Sequence, residues 1–299
     1  MVDCIYKGHF KGLDIAFTYA VTTSLVNDLV VRHDNDPVAA HILGRAATSG
    51  VLSAALLPKN QRLNICWKYP GSLRTIIVDA GSDGSARGFV SPVHLNDVAG
   101  SIDELYGEKG ELRIIRTEDS KVLNSSTAMI PLQDVVRDLA YHFCVSDQVE
   151  TGMISLIGLQ ADEKAPVSLS QGWMIQALPG CDLERFDRIR ARMEGDTFRE
   201  LLSSGSEADT CFEKLAAALV SDEVDEVDIR LDEYPAPFFK CNCSKEKMGD
   251  VLRTIPIPTR MEIVKDAKPM VLSCQFCNAR YELSIDECTN AWNNKPLEG

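Results

Sequence analysis

Residues 238–247, FFKCNCSKEK, and residues 272–283, LSCQFCNARYEL, place two pairs of cysteines in one short region of the chain. The paired residues are Cys241, Cys243, Cys274 and Cys277, and 30 residues separate the two pairs. Thiolates from two such turns can complete the tetrahedral shell that zinc prefers. The last histidine is His142, so no nearby imidazole competes as a ligand. We therefore predict that these four cysteines bind one Zn2+ per chain in the reduced state.

The spacing of the pairs also bears on redox chemistry. Zinc-bound thiolates stay reactive towards oxidants, and Cys-x-Cys and Cys-x-x-Cys are both close enough for local disulfides. Oxidation would then release the metal and unfold the region that it stabilises. Most closed four-cysteine sites are structural, so the spacing by itself leaves both a structural site and a switch open. The sequence assigns no role to the cysteines that stand alone, namely Cys4, Cys66, Cys144, Cys181, Cys211 and Cys288.

The bulk composition limits the classes of partner. A chain of 299 residues that is 45% hydrophobic and 25% charged is an ordinary globular protein, long enough for two domains. Its net charge of -13 repels phosphate backbones, so we expect no nucleic-acid partner. No apolar run reaches the roughly 18 residues of a membrane span. The N-terminus lacks the apolar core of a signal peptide, so we expect a cytoplasmic protein; an organelle form without its targeting segment stays open.

The first 181 residues are predicted to form a mixed α/β domain. Apolar residues at helical spacing predict a helix at 24–33, and Asp36-Pro37 is typical of a helix start. The helix that follows, up to residue 57, is rich in small residues and should be buried. Another helix is predicted at 131–143. Strand-like runs joined by turn residues occur at 13–18, 62–68, 73–78, 86–90, 111–116, 122–129, 153–159 and 168–174.

The composition changes after Pro179-Gly180. Residues 182–193, 197–202 and 211–220 form short amphipathic segments that are predicted to be helices, with Asp182 as an N-cap. Such short helices are marginal alone and need a surface to pack on. We therefore predict an α+β protein that consists, in chain order, of an N-terminal mixed α/β domain, a helical linker and a small C-terminal four-cysteine module. An ordinary helical subdomain is the alternative interpretation of the linker.

The sequence also contains features of two other classes of function. An enzyme would draw its acid–base groups from the cluster of His33, Asp34, Asp36 and His41, but this cluster is more typical of a helix end, a loop and a cap. The glycines at 81, 84 and 88 lack the spacing of a phosphate-binding loop and favour a hairpin turn. A zinc-ribbon that binds nucleic acid would use Lys240, Lys245, Lys247 and Arg253, against the acidity of the whole chain.

The paired cysteines lie in segments that resemble the redox-regulated heat-shock holdase family, heat-shock protein thirty-three. KCNCSKEKMGDVLRTI (240–255) and LSCQFCNARYEL are similar to its C-terminal module almost position for position. Residues 20–57, AVTTSLVNDLVVRHDNDPVAAHILGRAATSGVLSAALL, resemble its first helical region. SLRTIIVDAGSDGSARGFV (72–90), DLAYHFCVSDQ (138–148) and GWMIQALPG (172–180) are also similar to family segments, so the resemblance covers nearly the whole chain.

The resemblance implies an ATP-independent chaperone rather than an enzyme. It implies a chaperone core at 1–181, a regulatory linker at 182–237 and a zinc-binding redox switch at 238–292. When reduced and zinc-bound the chaperone is expected to be off. Oxidation is expected to form the disulfides Cys241–Cys243 and Cys274–Cys277, release zinc and unfold the linker.

The expected partners are unfolding client proteins, which the active form would protect from oxidative and heat-induced aggregation. A homodimer is expected in the oxidised state. The linker itself carries apolar residues that its release would expose to clients. These residues are Leu183, Phe186, Ile189, Phe198, Leu201, Leu202, Phe212 and Leu215.

Overall fold

A computed structural model describes residues 2–97, 100–205, 207–266 and 268–293. The chain divides into two units, residues 1–240 and 241–299. The three linker helices therefore belong to the first unit. The second unit begins at Cys241 rather than at residue 238, because Phe238 and Phe239 pair with a strand of the first unit.

Two sheets organise the first unit. The first sheet has the order β10-β1-β2-β9-β8, and all of its pairs are antiparallel. Its strands are β1 (Cys4–Phe10), β2 (Ile15–Val21), β8 (Thr151–Leu159), β9 (Val167–Ala177) and β10 (Ile229–Asp232). The second sheet has the order β11-β5-β4-β3-β6-β7, in which only the outermost β11 runs parallel to its neighbour. Its strands are β3 (Gln61–Lys68), β4 (Thr75–Gly81), β5 (Ser85–Ser91), β6 (Gly110–Glu118), β7 (Lys121–Ile130) and β11 (Phe238–Phe239).

The helices of the first unit are α1 (Thr23–His33), α2 (Pro37–Ala55), α3 (Ile102–Tyr106), α4 (Val135–His142), α5 (Leu183–Glu194), α6 (Asp196–Ser203) and α7 (Ala208–Val220). A π-helical turn, Phe143–Asp147, continues α4. As predicted, Asp36 caps α2, since its Oδ1 accepts a hydrogen bond of 2.8 Å from the Ala39 amide. The predicted helix at 131–143 begins later, because Asp134 forms the N-cap.

Helix α2 lies at the centre of the first unit. Fifteen of its 19 residues are buried, which confirms that it is an internal helix. Its small residues allow strands to approach: a Cβ on Gly50 would lie 2.6 Å from Val78 of β4, and one on Gly44 would lie 2.4 Å from Ile157 of β8. The helix thus contacts both sheets. The other face of the first sheet is covered by α5, α6 and α7.

The second unit is small. It contains α8 (Lys245–Leu252), α9 (Ile257–Asp266), β12 (Met270–Ser273), β13 (Arg280–Leu283) and α10 (Ile285–Asn293). Strands β12 and β13 form an antiparallel hairpin. Within the described residues of this unit, the buried apolar core consists of Leu252, Leu283 and Cys288, with partly buried side chains around it. A core of this size does not stabilise a domain by itself, and such units are usually held by a metal or disulfides.

Candidate metal centre

The first cysteine pair lies between β11 and α8. Cys241 and Cys243 are followed by Ser244, whose hydroxyl accepts a hydrogen bond from the Lys247 amide and caps α8. The Lys247 ammonium group donates to the Asn242 carbonyl at 2.6 Å. These local bonds fix the short turn that carries both thiols.

The second pair lies in the tight turn of the β12–β13 hairpin. The Cys274 amide donates to the Ala279 carbonyl at 2.9 Å, and the Asn278 amide donates to the Cys274 carbonyl at 2.8 Å. Asn278 has φ +58°, a left-handed conformation that asparagine tolerates well. Backbone N–H groups of Phe276 and Cys277 also donate to the Cys274 sulfur. Amides that point at a sulfur stabilise its thiolate form.

The two turns bring all four sulfurs together, with every pair of Sγ atoms within 4.8 Å. The Sγ atoms of Cys241 and Cys274 are 3.8 Å apart, and those of Cys243 and Cys277 are 3.3 Å apart. Four thiolates at about 2.3 Å from one tetrahedral ion are about 3.8 Å from each other. The arrangement therefore fits a single metal ion in an all-sulfur shell.

Tyr281 adds a polar contact that the sequence alone did not reveal. Its hydroxyl donates to the Cys243 sulfur at 3.1 Å. Burial raises the pKa of Cys274 and raises that of Cys277 to about 12. Burial acts in the same direction on Cys243, but hydrogen bonds from Tyr281 and the other three thiols outweigh it and lower the pKa to about 7. The lowered pKa favours the thiolate of Cys243 at neutral pH, compared with an ordinary cysteine, and the thiolate is the form that binds metals and reacts with oxidants.

The isolated cysteines lie outside this group. Cys288 is buried in the core of the second unit, and Cys211 lies on the buried face of α7. Burial raises the pKa of each isolated thiol, which favours the less reactive protonated form.

The residues of the alternative enzyme site have structural roles. Asp34 ends α1 in a left-handed conformation, and Asp36 caps α2 while also accepting from the Asn96 amide. Among the described residues, these side chains and the neighbouring histidines do not form a cluster like that of the cysteines. Gly84, at φ +81°, closes the β4–β5 hairpin, which confirms the predicted turn.

The cations of the alternative nucleic-acid site have acidic or backbone neighbours. Lys245 forms an ion pair of 2.6 Å with Glu287, and Arg253 forms one of 3.3 Å with Asp250. Lys240 lies 3.6 Å from Asp83. These contacts reduce the positive charge that the module offers to a phosphate. In the described part of the chain, no helix has the length and apolarity needed to cross a membrane.

The apolar residues predicted for the linker lie mostly on one buried face. Phe186, Ile189, Phe198, Leu202, Phe212 and Leu215 are all buried against the first sheet. Leu201 is partly buried, whereas Leu183 is 54% exposed. Leu183 therefore does not belong to the surface that release of the linker would expose, because it is accessible already.

The surface beneath the linker helices is aromatic, and no pattern in the sequence predicted it. Trp173 of β9 and Phe17 and Tyr19 of β2 are all fully buried there. Phe198 of α6 contacts the Trp173 ring edge-on at 6.2 Å. We call these three sheet residues the aromatic platform.

A cluster of charges closes the end of the linker. The Glu223 carboxylate lies 2.6 Å from Arg192 and 2.9 Å from Arg188, and Arg185 is 3.6 Å away. These arginines are on α5, whereas Glu223 follows α7. Hydrogen bonds from Arg188 and Arg192 hold the pKa of Glu223 at about 2. The contact ties the two ends of the helical segment together.

Three comparisons with known proteins bear on the family. The family model described as Hsp33 protein matches residues 3–284. The 33 kDa chaperonin of Geobacter sulfurreducens is 30% identical over 276 residues, covering 89% of this chain and 87% of the relative. That of Clostridium beijerinckii is 29% identical, covering 98% and 99%. The crystal structure of the 33 kDa chaperonin from Thermotoga maritima matches with a TM-score of 0.78 at 21% identity, covering 96% and 97%, which supports the same fold.

Proposed function

Because the chain belongs to the Hsp33 family of chaperones, we propose that it is an ATP-independent holdase controlled by the oxidation of its four clustered cysteines. The observation that carries the proposal is the convergence of four thiols within 4.8 Å in a unit with a very small core. The proposed roles are a chaperone core at 1–181, a regulatory linker at 182–237 and a redox switch at 238–292.

We assign zinc to the site, one ion per chain, with Cys241, Cys243, Cys274 and Cys277 as ligands. Bound zinc supplies structural cross-linking of the two cysteine turns and keeps the sulfurs as thiolates. The amides that donate to Cys274 and the hydroxyl of Tyr281 hold the sulfurs in place. Free thiols persist in reducing compartments, and we therefore propose a cytoplasmic location for the protein.

Oxidation by peroxide would remove the ligands. Two thiolates, one peroxide molecule and two protons give one disulfide and two water molecules. We propose the pairs Cys241–Cys243 and Cys274–Cys277, as in the family that the sequence resembles. The short Sγ–Sγ contacts join Cys241 to Cys274 and Cys243 to Cys277, so a crossed pairing competes with this proposal. With either pairing, four ligand thiolates are lost.

Loss of the centre would unfold the second unit, since its core is too small to fold alone. We propose that the linker then leaves the first sheet. Its helices have 12, 8 and 13 residues, which are marginal without a packing surface. Release would expose Phe186, Phe198 and Phe212 on one side and the aromatic platform on the other. Such a surface binds unfolded chains.

The test is suppression of aggregation of an unrelated, chemically unfolded protein. Reduced protein should have little effect, and protein treated with peroxide should hold the client without ATP. Sedimentation in the same conditions should show the proposed oxidised homodimer. Equal holding by the reduced and oxidised forms would contradict redox control, and no holding by either form would contradict the chaperone assignment.

A further inference from the structure

The segment between the last linker helix and the metal centre crosses the edges of both sheets. We call residues 228–240 the strap. Its first part, β10, pairs antiparallel with β1, and its last part, β11, pairs parallel with β5. The Lys240 amide donates to the Ala86 carbonyl at 3.1 Å, and the next residue in the chain is Cys241. The strap therefore covers the outer edge of each sheet and is joined covalently to the first ligand.

The strap is held by backbone hydrogen bonds and by partly exposed side-chain contacts, such as the ion pair of 2.8 Å between Lys11 and Asp228 and the cation–π contact of Arg32 with Phe239 at 4.3 Å. Within it, Pro237 is the one buried residue. Cavities of about 760 Å³ and 640 Å³ flank its middle section near Tyr234. Tyr234 contributes side-chain contacts, with its hydroxyl donating to the Ala54 carbonyl at 3.4 Å. Segments with few buried side chains are the first to open locally.

The register of β10 on β1 shows which amides face the strap. The Lys11 amide donates to the Asp228 carbonyl at 2.9 Å. Because hydrogen-bonded pairs alternate along an antiparallel ladder, the next such pairs are His9 with Arg230 and Lys7 with Asp232. The amides of the even-numbered residues of β1 face β2 instead. Gly8 permits this close pairing, since a Cβ there would lie 1.9 Å from the Arg230 carbonyl oxygen.

We propose that the β1 edge, once the strap has left, binds an extended segment of an unfolded client by antiparallel strand addition. The proposal rests on the holdase function proposed above and says how that function recognises clients. Backbone pairing is independent of sequence, and Arg230, Leu231 and Asp232 are exposed in the strap, so the edge selects little by side chain. This tolerance suits a protein that holds many clients.

The edge is continuous with the apolar surface beneath the linker. Ile229, which pairs with Phe10, packs against the same cluster as the aromatic platform. Val227, two residues earlier, also packs there. A client segment in this register would place every second side chain on the apolar face, so apolar residues at alternate positions fit best. A second copy of the chain fits less well, because each copy carries a net charge of -13.

The test uses the full-length oxidised chain and a labelled peptide with the strap sequence VDIRLDE, residues 227–233. The peptide should bind the oxidised chain and reduce its holding of client, whereas the reduced chain should not bind the peptide. N-methylation at Arg230 and Asp232 removes the two amides that face β1 and should weaken binding by about tenfold or more. The matched control carries the methyl groups at Leu231 and Glu233, whose amides face away, and should bind like the unmodified peptide. The proposal would be overturned if the two methylated peptides bound equally well, or if the unmodified peptide bound without reducing client holding.

Hydrogen exchange of the unsubstituted protein provides a second test of the proposal. The amides of Lys7 and His9 should lose protection on oxidation and regain it when client is added, while those of Tyr6 and Gly8 stay protected. Recovery without client would assign the edge to a second copy and overturn client docking. Holding of client by the oxidised chain is measured in parallel. Its absence rejects the proposed function, whereas holding without renewed protection rejects only the edge as the docking site.

Discussion

The rings of Trp173 and Phe212 stack with their centroids 5.5 Å apart and their planes 15° from parallel. Trp173 belongs to β9 of the first sheet, and Phe212 belongs to α7 of the linker. Phe212 also contacts Tyr6 at 4.9 Å and Phe17 at 5.7 Å. Stacked aromatic pairs contribute about 0.5–1.5 kcal/mol beyond their buried area. The linker is therefore held on the sheet by specific contacts within the first unit.

Phe186→Glu should release the linker while the metal centre is intact. Phe186 is fully buried, and a carboxylate there should destabilise the packing of α5 by about 3 kcal/mol or more. We expect the reduced variant to suppress client aggregation and to lose exchange protection at 183–220.

The matched control is Leu183→Glu, on the same helix. Leu183 is 54% exposed, so this change adds the same charge without removing a buried contact. The control should remain inactive when reduced. If Phe186→Glu were also inactive and kept normal linker protection, the buried face of α5 would not restrain activity.

Glu223 should make linker packing sensitive to acid. Its folded pKa of about 2 lies below the ordinary value of 4.5, so it stabilises the packed linker above pH 4.5 and loses that contribution between about pH 4.5 and 2. Linker protection should thus be constant from pH 7 to 5 and should fall below that range. Glu223→Gln should cost about 1 kcal/mol at pH 7, since its arginine partners are partly exposed, and should flatten the profile. The exposed neighbour Glu226→Gln should leave the profile unchanged.

Local signals predicted much of the fold. Asp36-Pro37 predicted the start of α2, and the apolar spacing predicted α5 to α7. Strand β1 was not predicted, because Lys7, Gly8 and His9 interrupt its apolar pattern. The edge strands β10 and β11 were missed for a related reason. They lie in an acidic segment with two prolines, and their pairing depends on partners far away in sequence.

The grouping of the four cysteines was predictable because they are paired in sequence, and the structure brings their sulfurs together. The contacts of Tyr281 and Glu223 were not predictable, because their partners are distant in sequence. Tyr281 lies 38 residues from Cys243, and Glu223 lies up to 38 residues from its arginine partners. The aromatic platform escaped prediction because β2 is buried on both faces and shows no alternation. Pattern analysis therefore identifies ligands that are close in sequence better than surfaces built from distant strands.

Cys274→Ser should remove most of the metal binding. Four ligands share an apparent binding free energy of about 10–16 kcal/mol in structural zinc sites, so the loss of one should weaken binding by about 100-fold or more. The control is Cys288→Ser, a buried cysteine of the same unit that lies outside the sulfur group. This control should keep one zinc per chain by elemental analysis, although it lowers stability. Cys66→Ser should also keep the metal, and a loss there equal to that of Cys274→Ser would mean that the ligand set is wrong.

Peptide mapping should distinguish the two disulfide pairings. Trypsin releases residues 241–245, CNCSK, and residues 266–280, DAKPMVLSCQFCNAR, because the Lys268–Pro269 bond resists cleavage. Local disulfides give two separate peptides, each lighter by two hydrogens than its reduced form. Crossed disulfides give one covalently joined pair. We expect separate peptides after peroxide treatment, and a joined pair would replace the local pairing with the crossed one.

Removing the metal without oxidation should show whether unfolding of the second unit is sufficient for activation or whether the disulfides are also required. A chelator added to reduced protein removes a stabilising contribution on the order of 10 kcal/mol, comparable to the whole stability of a small domain. Strands β12 and β13 should then lose hydrogen-exchange protection, because their unit retains a core of only three buried side chains among its described residues. Strands β4 and β5 should keep theirs, since they pack on the buried helix α2 of the first unit.

The exchange protection of the linker helices in the metal-free protein then distinguishes two mechanisms. If they open together with β12 and β13, loss of the metal is sufficient for activation, and the apo protein should hold clients before any disulfide forms. If residues 183–220 stay protected while the second unit unfolds, the linker does not depend on the centre, and the proposed path from the cysteines to the client surface is wrong.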